Sequence, residues 1–411
     1  MIEESEARQR ILAAIDLARP ESGESVLLFE ALDRISARDV FGRVDLPGFD
    51  NSSMDGYAVL AAEARAGDRL KLSDQEQPAG EDRRLELEPG CAIRIFTGAP
   101  IPSGADAVIM QEDVRRPSDT GEIEITEGVE RGENIRPRGG DVCAGQKILE
   151  AGSAISPAVV GLLASQGFSE IEVRKRPRVG IVSTGDEVVE VGSVTPADLP
   201  AGCLFNSNGP MLESLTRKLN AVTRRWHAPD EPQALRGILA EALEQSDFLL
   251  IAGGVSVGDR DFVKQTLADL GVASDFWRVR VKPGKPFLFG KRETETGSPS
   301  FVFGLPGNPV SAFVTFQIFA APAIQRWFGE RAATEELPLQ RGKAPLAEPL
   351  KNPGDRPHYL RLRIDAATGA LRPTGLQQSH ALFGLSRADA LFRMEPGEIL
   401  EAGAEAAVWL L

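Results

Sequence analysis

The sequence predicts an α/β protein with additional β-rich domains. A central segment alternates between strand and helix patterns, which is typical of a mostly parallel sheet with helices on both faces. The segments before and after it hold short apolar runs separated by glycine, proline and aspartate, which is typical of small β domains. Because the chain has 411 residues, too many for one hydrophobic core, we expect two to four domains.

The amino-terminal part is predicted to begin with a helix and to contain a small β domain. Residues Ser5–Ala18 follow the helical period, and Pro20 ends the pattern. Short apolar runs between residues 46 and 139 predict an inserted β-rich domain. We expect residues 1–45 and 140–176, on either side of this insertion, to form a linker domain.

The central segment, residues 177–330, is predicted to form the α/β domain. Its predicted strands are Val179–Ser183, Ala221–Ala228, Asp247–Ala252, Phe276–Val281 and Phe301–Leu305. Its predicted helices are Pro210–Leu219, Glu231–Gln245, Phe262–Leu270 and Pro309–Phe328. Residues 331–411 return to short strands separated by prolines, which predicts a small barrel-like β domain.

Composition and charge argue against several classes of protein. The formal net charge of -14 argues against a general binder of nucleic acid or of anionic membranes. Cys91, Cys143 and Cys203 form neither a disulfide framework nor a zinc-site spacing, and the histidines form no metal-binding pair. The acidic amino terminus lacks the apolar core of a signal peptide. The expected location is therefore the cytoplasm.

Three loops rich in glycine and proline follow apolar runs of the central segment. They are Gly253–Asp261, Lys282–Pro286 and Gly304–Pro309. Glycine lets backbone N–H groups approach an anion, and lysine adds a point charge for an oxyanion. Asp259 and Asp261 are suited to a hard cation such as Mg²⁺. Because ligands of such sheets bind outside the carboxyl ends of the strands, the loops predict a site for a phosphate-bearing ligand, a metal and an oxyanion.

Each of these segments also has a purely structural interpretation. Ser183–Glu187 can be a turn with a helix cap, and Pro306–Pro309 can be a turn that starts a helix. The cations between Phe276 and Arg292 can decorate a solvated strand edge. The placement of several such loops in one sheet favours a ligand site. Neither a Walker phosphate loop nor a dinucleotide-binding glycine fingerprint is present, which argues against kinases, ATPases and dinucleotide-dependent dehydrogenases.

Seven motifs follow one another along the chain. They are Asp50–Val59, Phe96–Pro100, Ser183–Glu187, Asn206–Pro210, Gly253–Asp261, Lys282–Pro286 and Gly304–Val310. In kind and order they resemble the motifs of the molybdopterin molybdenumtransferase family, the MoeA family that includes the gephyrin E domain. The likeness runs from about Glu24 to the carboxyl terminus. Two positions depart from the family pattern, with Ala252 in place of a hydroxyl residue and Gly140 in place of an acidic one, and their consequence stays open.

The resemblance implies an elongated homodimer of multi-domain subunits with a central MogA-like α/β domain and an active site between subunits. It implies that adenylylated molybdopterin and molybdate are the substrates, and that a Mg²⁺-dependent step releases AMP. The adenylyltransferase that makes the substrate and maturation factors of molybdoenzymes are candidate partners. Two alternatives stay open: an interaction scaffold of the gephyrin E type, and a paralogue that inserts tungstate.

The resemblance also assigns site residues. Residues expected to bind molybdate are Lys282, Lys285, Pro286, Arg356 and Ser379. Residues expected to contact the nucleotide and the molybdopterin are Gly253, Gly254, Ser256, Pro306, Gly307 and Asn308. The expected metal ligands are Asp230, Asp259 and Asp261. Residues expected to act in catalysis are Asp55, Thr97, Glu187, Lys282 and Lys285. Whether Glu187 acts as a base or positions water or metal is left open.

Overall fold

The helices of the protein lie mainly in its central part. A computed structural model describes residues 1–18, 23–117, 121–254, 262–294, 299–329, 337 and 339–411. Its helices are α1 (Glu4–Asp16), α2 (Pro157–Ser165), α3 (Asn208–Lys218), α4 (Pro232–Gln245), α5 (Val263–Asp269), α6 (Pro309–Thr315), α7 (Ala321–Phe328) and α8 (Leu382–Ser386). Within these ranges, none of the helices combines the length and the apolar character that crossing a membrane requires.

The amino-terminal region is rich in strands. They are β1 (Gly23–Leu27), β2 (Val40–Phe41), β3 (Asn51–Ser52), β4 (Gly56–Val59), β5 (Arg69–Gln77), β6 (Cys91–Ile95), β7 (Ala107–Met110), β8 (Val114–Arg115), β9 (Glu122–Ile125), β10 (Ile135–Arg136), β11 (Lys147–Leu149) and β12 (Glu170–Arg174). Six of them form a mixed sheet in the order β7-β4-β6-β5-β9-β8. Glycine is required at position 56 in β4, because a Cβ there would lie 1.9 Å from the carbonyl oxygen of Ile109. This sheet carries Asp55 and Thr97 on the segments next to β4 and β6.

The central region forms a mostly parallel sheet, as predicted. Its strands are β13 (Arg178–Thr184), β14 (Val188–Val189), β15 (Leu204–Phe205), β16 (Val222–Ala228), β17 (Phe248–Ala252), β18 (Ala273–Trp277), β19 (Leu288–Arg292) and β20 (Ser300–Leu305). The sheet has the order β16-β13-β17-β20-β19-β18. Its first four strands are parallel to one another, and β19 is antiparallel to both of its neighbours, β20 and β18. The carboxyl ends of β13, β17 and β20 therefore lie side by side, and the loops that follow these strands lie at the same edge of the sheet.

Two predicted elements of this region differ from the structure. The strand predicted at Phe276–Val281 ends at Trp277 because Arg278 has a φ of 73°, which a strand does not accommodate. The helix predicted at Pro309–Phe328 is continuous but contains a π-helical turn at Phe316–Ala320. Pro322 lacks the N–H that would bond four residues back, which explains the wider turn before it.

The carboxyl-terminal region forms a second antiparallel unit. Its strands are β21 (Arg341–Pro345), β22 (Leu350–Lys351), β23 (His358–Ile364), β24 (Leu371–Pro373), β25 (Ala390–Met394), β26 (Ile399–Leu400) and β27 (Glu405–Leu410). Five of them pair in the order β21-β27-β25-β23-β24. A backbone bridge between Lys282 and His358 joins the start of β23 to the loop before β19. The central and carboxyl-terminal regions are therefore connected at the Lys282 loop.

Helix α1 packs against segments that are distant from it in the sequence. Ile11 and Ile15 are fully buried in the same apolar cluster as Phe248 and Phe303 of the central sheet. Glu4, which is 4% exposed, accepts a 2.7 Å hydrogen bond from the Tyr359 hydroxyl. The other carboxylate oxygen of Glu4 accepts a 3.0 Å hydrogen bond from Arg393 Nε. The first helix thus ties the central region to the carboxyl-terminal sheet.

Replacement of Tyr359 by phenylalanine is expected to destabilise this junction by about 2 kcal/mol, since a hydrogen bond to a charged group contributes that much. The change removes the donor and leaves the buried Glu4 carboxylate with fewer partners. Differential scanning calorimetry should show a lower unfolding temperature. Tyr57→Phe is the matched control, because no hydrogen bond of the Tyr57 hydroxyl is found in the described part of the chain. Equal shifts in the two variants would contradict the prediction.

Candidate functional site

A cleft of about 580 Å³ lies where the central sheet meets the carboxyl-terminal region. The residues that line it are Lys282, Pro283, Gly284, Lys285, Pro286, Pro306, Asn308, Ser311, Arg356, His358, Gln377, Gln378, Ser379 and His380. All five residues expected to bind molybdate are among them. Two residues expected to contact the nucleotide, Pro306 and Asn308, are among them as well. The structure therefore brings together side chains that are up to 98 positions apart in the sequence, from Lys282 to His380.

The Lys282 loop is held from both sides. The backbone N–H of Lys282 donates to the Pro357 carbonyl at 2.8 Å, and the Tyr359 N–H donates to the Lys282 carbonyl at 2.8 Å. Gly284 has a φ of 124°, and a Cβ on it would lie 2.5 Å from the Thr315 methyl group. Glycine is therefore required there for the loop to approach α6. The backbone that carries Lys282 and Lys285 therefore has little conformational freedom.

The carboxyl-terminal contributions to the cleft are held by hydrogen bonds that involve the backbone. Arg356 Nη1 donates to the Val281 carbonyl at 3.2 Å, and the Asn352 amide donates to the Arg356 carbonyl at 2.9 Å. The carbonyl of Ser379 accepts from the N–H of Val310 at 3.0 Å. Both segments are thus fixed to the Lys282 and Asn308 loops, which positions the Arg356 guanidinium and the Ser379 hydroxyl at the cleft.

The cleft is electropositive although the protein carries a net charge of -14. Lys282, Lys285 and Arg356 line it, and no aspartate or glutamate is among its lining residues within the described ranges. The positive charges also act on His358. Burial, and then the charges of Lys282, Arg361 and Arg356, lower the pKa of its imidazole to about 4. The cleft therefore holds a neutral histidine among cations, which is an environment that favours a bound anion.

The glycine loops converge beside the cleft. Gly253 and Gly254 have φ values of 102° and 61°, which glycine adopts without strain. A Cβ on Gly307 would lie 3.7 Å from the Cα of Gly253, so the two loops are in contact. The Asn208 amide donates to the Gly307 carbonyl at 2.6 Å. The described residues expected at the nucleotide, including Pro306 and Asn308, thus form one surface next to the residues expected to bind the oxyanion.

The predicted metal site is only partly described. Ser256, Asp259 and Asp261 lie outside the described residues. The backbone N–H of Asp230 donates to Asp186 Oδ1 at 3.1 Å, so these two residues adjoin at the carboxyl ends of β13 and β16. Within the described ranges no three histidine, cysteine, aspartate or glutamate side chains form a group that could hold a metal. The assignment of Asp230, Asp259 and Asp261 to Mg²⁺ therefore stays a prediction, as does the role of Glu187.

Asp55 and Thr97 form a separate polar pair on the amino-terminal sheet. Asp55 Oδ1 accepts hydrogen bonds from the Thr97 N–H at 2.7 Å and from the Thr97 hydroxyl at 2.8 Å. These bonds, in that order, and the charge of Arg94 hold the pKa of Asp55 below its ordinary value. Asp55 is therefore an ionised, oriented carboxylate. Neither residue is among those that line the cleft of its own chain.

Several lining residues were not predicted from the sequence. His358 follows Arg356 by two positions, but a single histidine without a spaced partner gave no signal of a site. Gln377 and Gln378 lie beside the predicted Ser379, and only their adjacency to it could have indicated them. Ser311 is in the first turn of α6, where a hydroxyl is more often structural.

Family profiles match nearly the whole chain in three segments. The MoeA N-terminal region (domain I and II) matches residues 2–167, a probable molybdopterin binding domain matches residues 180–326, and the MoeA C-terminal region (domain IV) matches residues 343–411. Together with the cleft at the edge of the central sheet, these matches define a multi-domain protein of the MoeA type.

Individual relatives agree with this class. A molybdopterin molybdenumtransferase of Haemophilus influenzae is 38% identical over 332 residues, which cover 80% of this chain and 79% of the relative. One from Nostoc sp. is 34% identical over 383 residues, which cover 91% and 85%. The crystal structure of a molybdopterin biosynthesis MoeA protein from Pyrococcus horikoshii OT3 superposes with a TM-score of 0.83 at 29% identity, over 100% of both chains. The chain belongs to the molybdopterin molybdenumtransferase family, an enzyme family of molybdenum cofactor biosynthesis, as the sequence motifs predicted.

Proposed function

We propose that this chain inserts molybdate into adenylylated molybdopterin and releases AMP in a Mg²⁺-dependent reaction. The observation that carries the proposal is the electropositive cleft, in which lysines of the central region meet an arginine and a serine of the carboxyl-terminal region. The cleft adjoins the glycine loops of a sheet whose strand ends are suited to a nucleotide. A site for an oxyanion beside a site for a phosphate ester is what this reaction requires.

Molybdate is a tetrahedral dianion, and the residues that line the cleft offer it several hydrogen-bond donors. The ammonium groups of Lys282 and Lys285 and the guanidinium of Arg356 supply charge-assisted hydrogen bonds, which are the strong ones. The Ser379 hydroxyl adds a neutral donor. No carboxylate is among the described lining residues. The exposed carboxylate of Asp355 lies 3.5 Å from Arg356 Nε, so a bound dianion would share this guanidinium with it.

The nucleotide part of the substrate would bind at the neighbouring loops. Gly253 and Gly254 have the positive φ values of a glycine loop, and such loops let backbone N–H groups approach a phosphate. Pro306 and Asn308 line the molybdate cleft and belong to the same loop as Gly307, so the two ligands would meet there. A Mg²⁺ ion held by Asp230 with Asp259 and Asp261 would neutralise charge on the phosphates when bound.

The proposal includes a homodimer in which Asp55 and Thr97 of one subunit face the cleft of the other. Asp55 is an oriented carboxylate that is absent from the lining of its own chain's cleft. Apolar side chains are exposed in the segment just before it, namely Phe29 (73%), Phe41 (50%) and Phe49 (49%). Exposed apolar side chains concentrated in one segment support an interface.

Release of AMP from adenylylated molybdopterin tests the proposal directly. AMP release by the purified protein is expected to require both molybdate and Mg²⁺. Chelation with EDTA should stop it, and excess Mg²⁺ should restore it. Tungstate in place of molybdate measures the preference between the two oxyanions. No release from a folded protein would reject the enzymatic proposal and favour the interaction scaffold.

A further inference from the structure

Among the residues that the structure describes, Arg361 is a buried cation without an acidic partner. It lies in β23, its side chain is 0% exposed, and no aspartate or glutamate oxygen lies within ion-pair distance of it in the described part of the chain. Its Nε and Nη1 atoms are buried and have no hydrogen-bond partner there. Burial alone lowers the pKa of its guanidinium to about 10, so it stays charged at neutral pH. Buried charges are ordinarily paired, and a charge left without a counterion calls for an explanation.

The guanidinium lies directly behind the cleft loop. Arg361 Nη2 donates to the carbonyls of Leu376 at 2.8 Å and of Gln378 at 3.3 Å. The Gln377 side chain bonds the Arg361 backbone twice, accepting from its N–H at 2.9 Å and donating to its carbonyl at 3.0 Å. Gln377, Gln378 and the adjacent Ser379 line the cleft, whereas Arg361 does not. Its charge therefore faces the cleft through one layer of backbone.

The field of Arg361 extends into the cleft. His358 lines the cleft, and the charge of Arg361 contributes, after burial and Lys282, to the lowered pKa of its imidazole. The positive charge that disfavours protonation of His358 would attract a dianion in the cleft. Because the interior screens charges less than water does, a guanidinium held under a single loop acts on the ligand without touching it.

We propose that Arg361 is a positioning residue whose buried, unpaired charge raises oxyanion affinity through the Leu376–Ser379 loop, and that the bound oxyanion is its missing counterion. This inference rests on the proposed function, because it places the oxyanion in the cleft. It has a signature that a purely structural arginine lacks. Removing an unpaired buried charge should leave the ligand-free protein equally stable or more stable, since replacement of buried charges by apolar groups is often neutral or stabilising. The same change should weaken oxyanion binding.

Three substitutions separate the charge from the hydrogen bonds. Arg361→Met removes both, Arg361→Gln keeps an amide donor for the loop carbonyls, and Arg361→Lys keeps the charge. Isothermal titration of the whole protein with sodium molybdate, at low and at high salt, measures affinity, and thermal unfolding without ligand measures stability. Arg363→Met is the matched control, because Arg363 is an exposed cation two positions along the same strand.

We expect the methionine and glutamine variants to bind molybdate about tenfold more weakly, with an unfolding temperature that is unchanged or higher. The lysine variant should bind within about threefold of the parent protein, and Arg363→Met should bind like it. If the methionine variant does not fold, glutamine and lysine still decide between charge and hydrogen bonding. Equal weakening in the lysine and glutamine variants, or undiminished binding in all three, would overturn the role of Arg361. Absence of molybdate binding by the unsubstituted protein would instead reject the proposed function itself.

Discussion

Lys285→Ala is expected to lower molybdate-dependent AMP release by about ten- to a hundredfold, since a charge-assisted hydrogen bond contributes roughly 1.5–3 kcal/mol. Lys285 lies on a loop whose backbone is fixed by hydrogen bonds to Pro357 and Tyr359 and by the close approach of Gly284 to α6. Its ammonium group therefore reaches the cleft from a fixed position. Steady-state release of AMP at several molybdate concentrations measures the loss.

The molybdate concentration at half-maximal release distinguishes a binding defect from a folding defect. It should rise in Lys285→Ala, and high molybdate should restore part of the activity. Lys291→Ala is the matched control: Lys291 belongs to the same basic stretch but lies on β19, outside the cleft lining, and pairs with Glu293 at 2.7 Å. A similar loss in both variants would point to general electrostatics and contradict a specific role of Lys285.

The parallel strands of the central sheet followed from the sequence because local apolar patterns sufficed, whereas β19 (Leu288–Arg292) was not predicted. Apolar runs such as Val179–Ser183 and Asp247–Ala252 are strands in the structure, to within a residue or two at their ends. Loops after parallel strands gather at one edge, so the proximity of Gly253 and Gly307 could be anticipated. What local patterns could not predict was the π-helical turn before Pro322 or the end of β18 at Trp277, because each depends on the backbone of a single residue.

Contacts between segments that are distant in the sequence could not be predicted from local sequence patterns. Glu4 bonds Tyr359 across 355 positions, and nothing in the period of the first helix indicates that partner. Arg356 and Ser379 were assigned to the molybdate pocket only through the family resemblance, and both line the cleft. Arg361 had no motif to mark it, because the role proposed for it rests on its burial and on the lack of an acidic partner among the described residues, which only the folded chain reveals.

Asp55→Ala is expected to lower AMP release by about a hundredfold, in the range that a positioned catalytic group contributes. Thr97 holds the carboxylate ionised and oriented, yet the pair does not line the cleft of its own chain.

If each active site combines Asp55 of one subunit with Lys285 of the other, two inactive variants can rescue each other. In a mixed dimer of Asp55→Ala and Lys285→Ala, one site carries both substitutions and the other carries neither.

Subunit exchange between the two variants thus decides whether the site is shared. Random mixing makes half of the dimers mixed, with one intact site in each, so about a quarter of the parental activity should return. A mixture of Asp55→Ala with Thr97→Ala is the control, because both defects lie on the same side of the site and every site in a mixed dimer stays defective. Recovery in the first mixture and none in the second would place Asp55 and Lys285 on different subunits. If neither mixture recovers although the subunits exchange, both residues act within one chain, and Asp55 must then reach the cleft by a movement of the amino-terminal sheet.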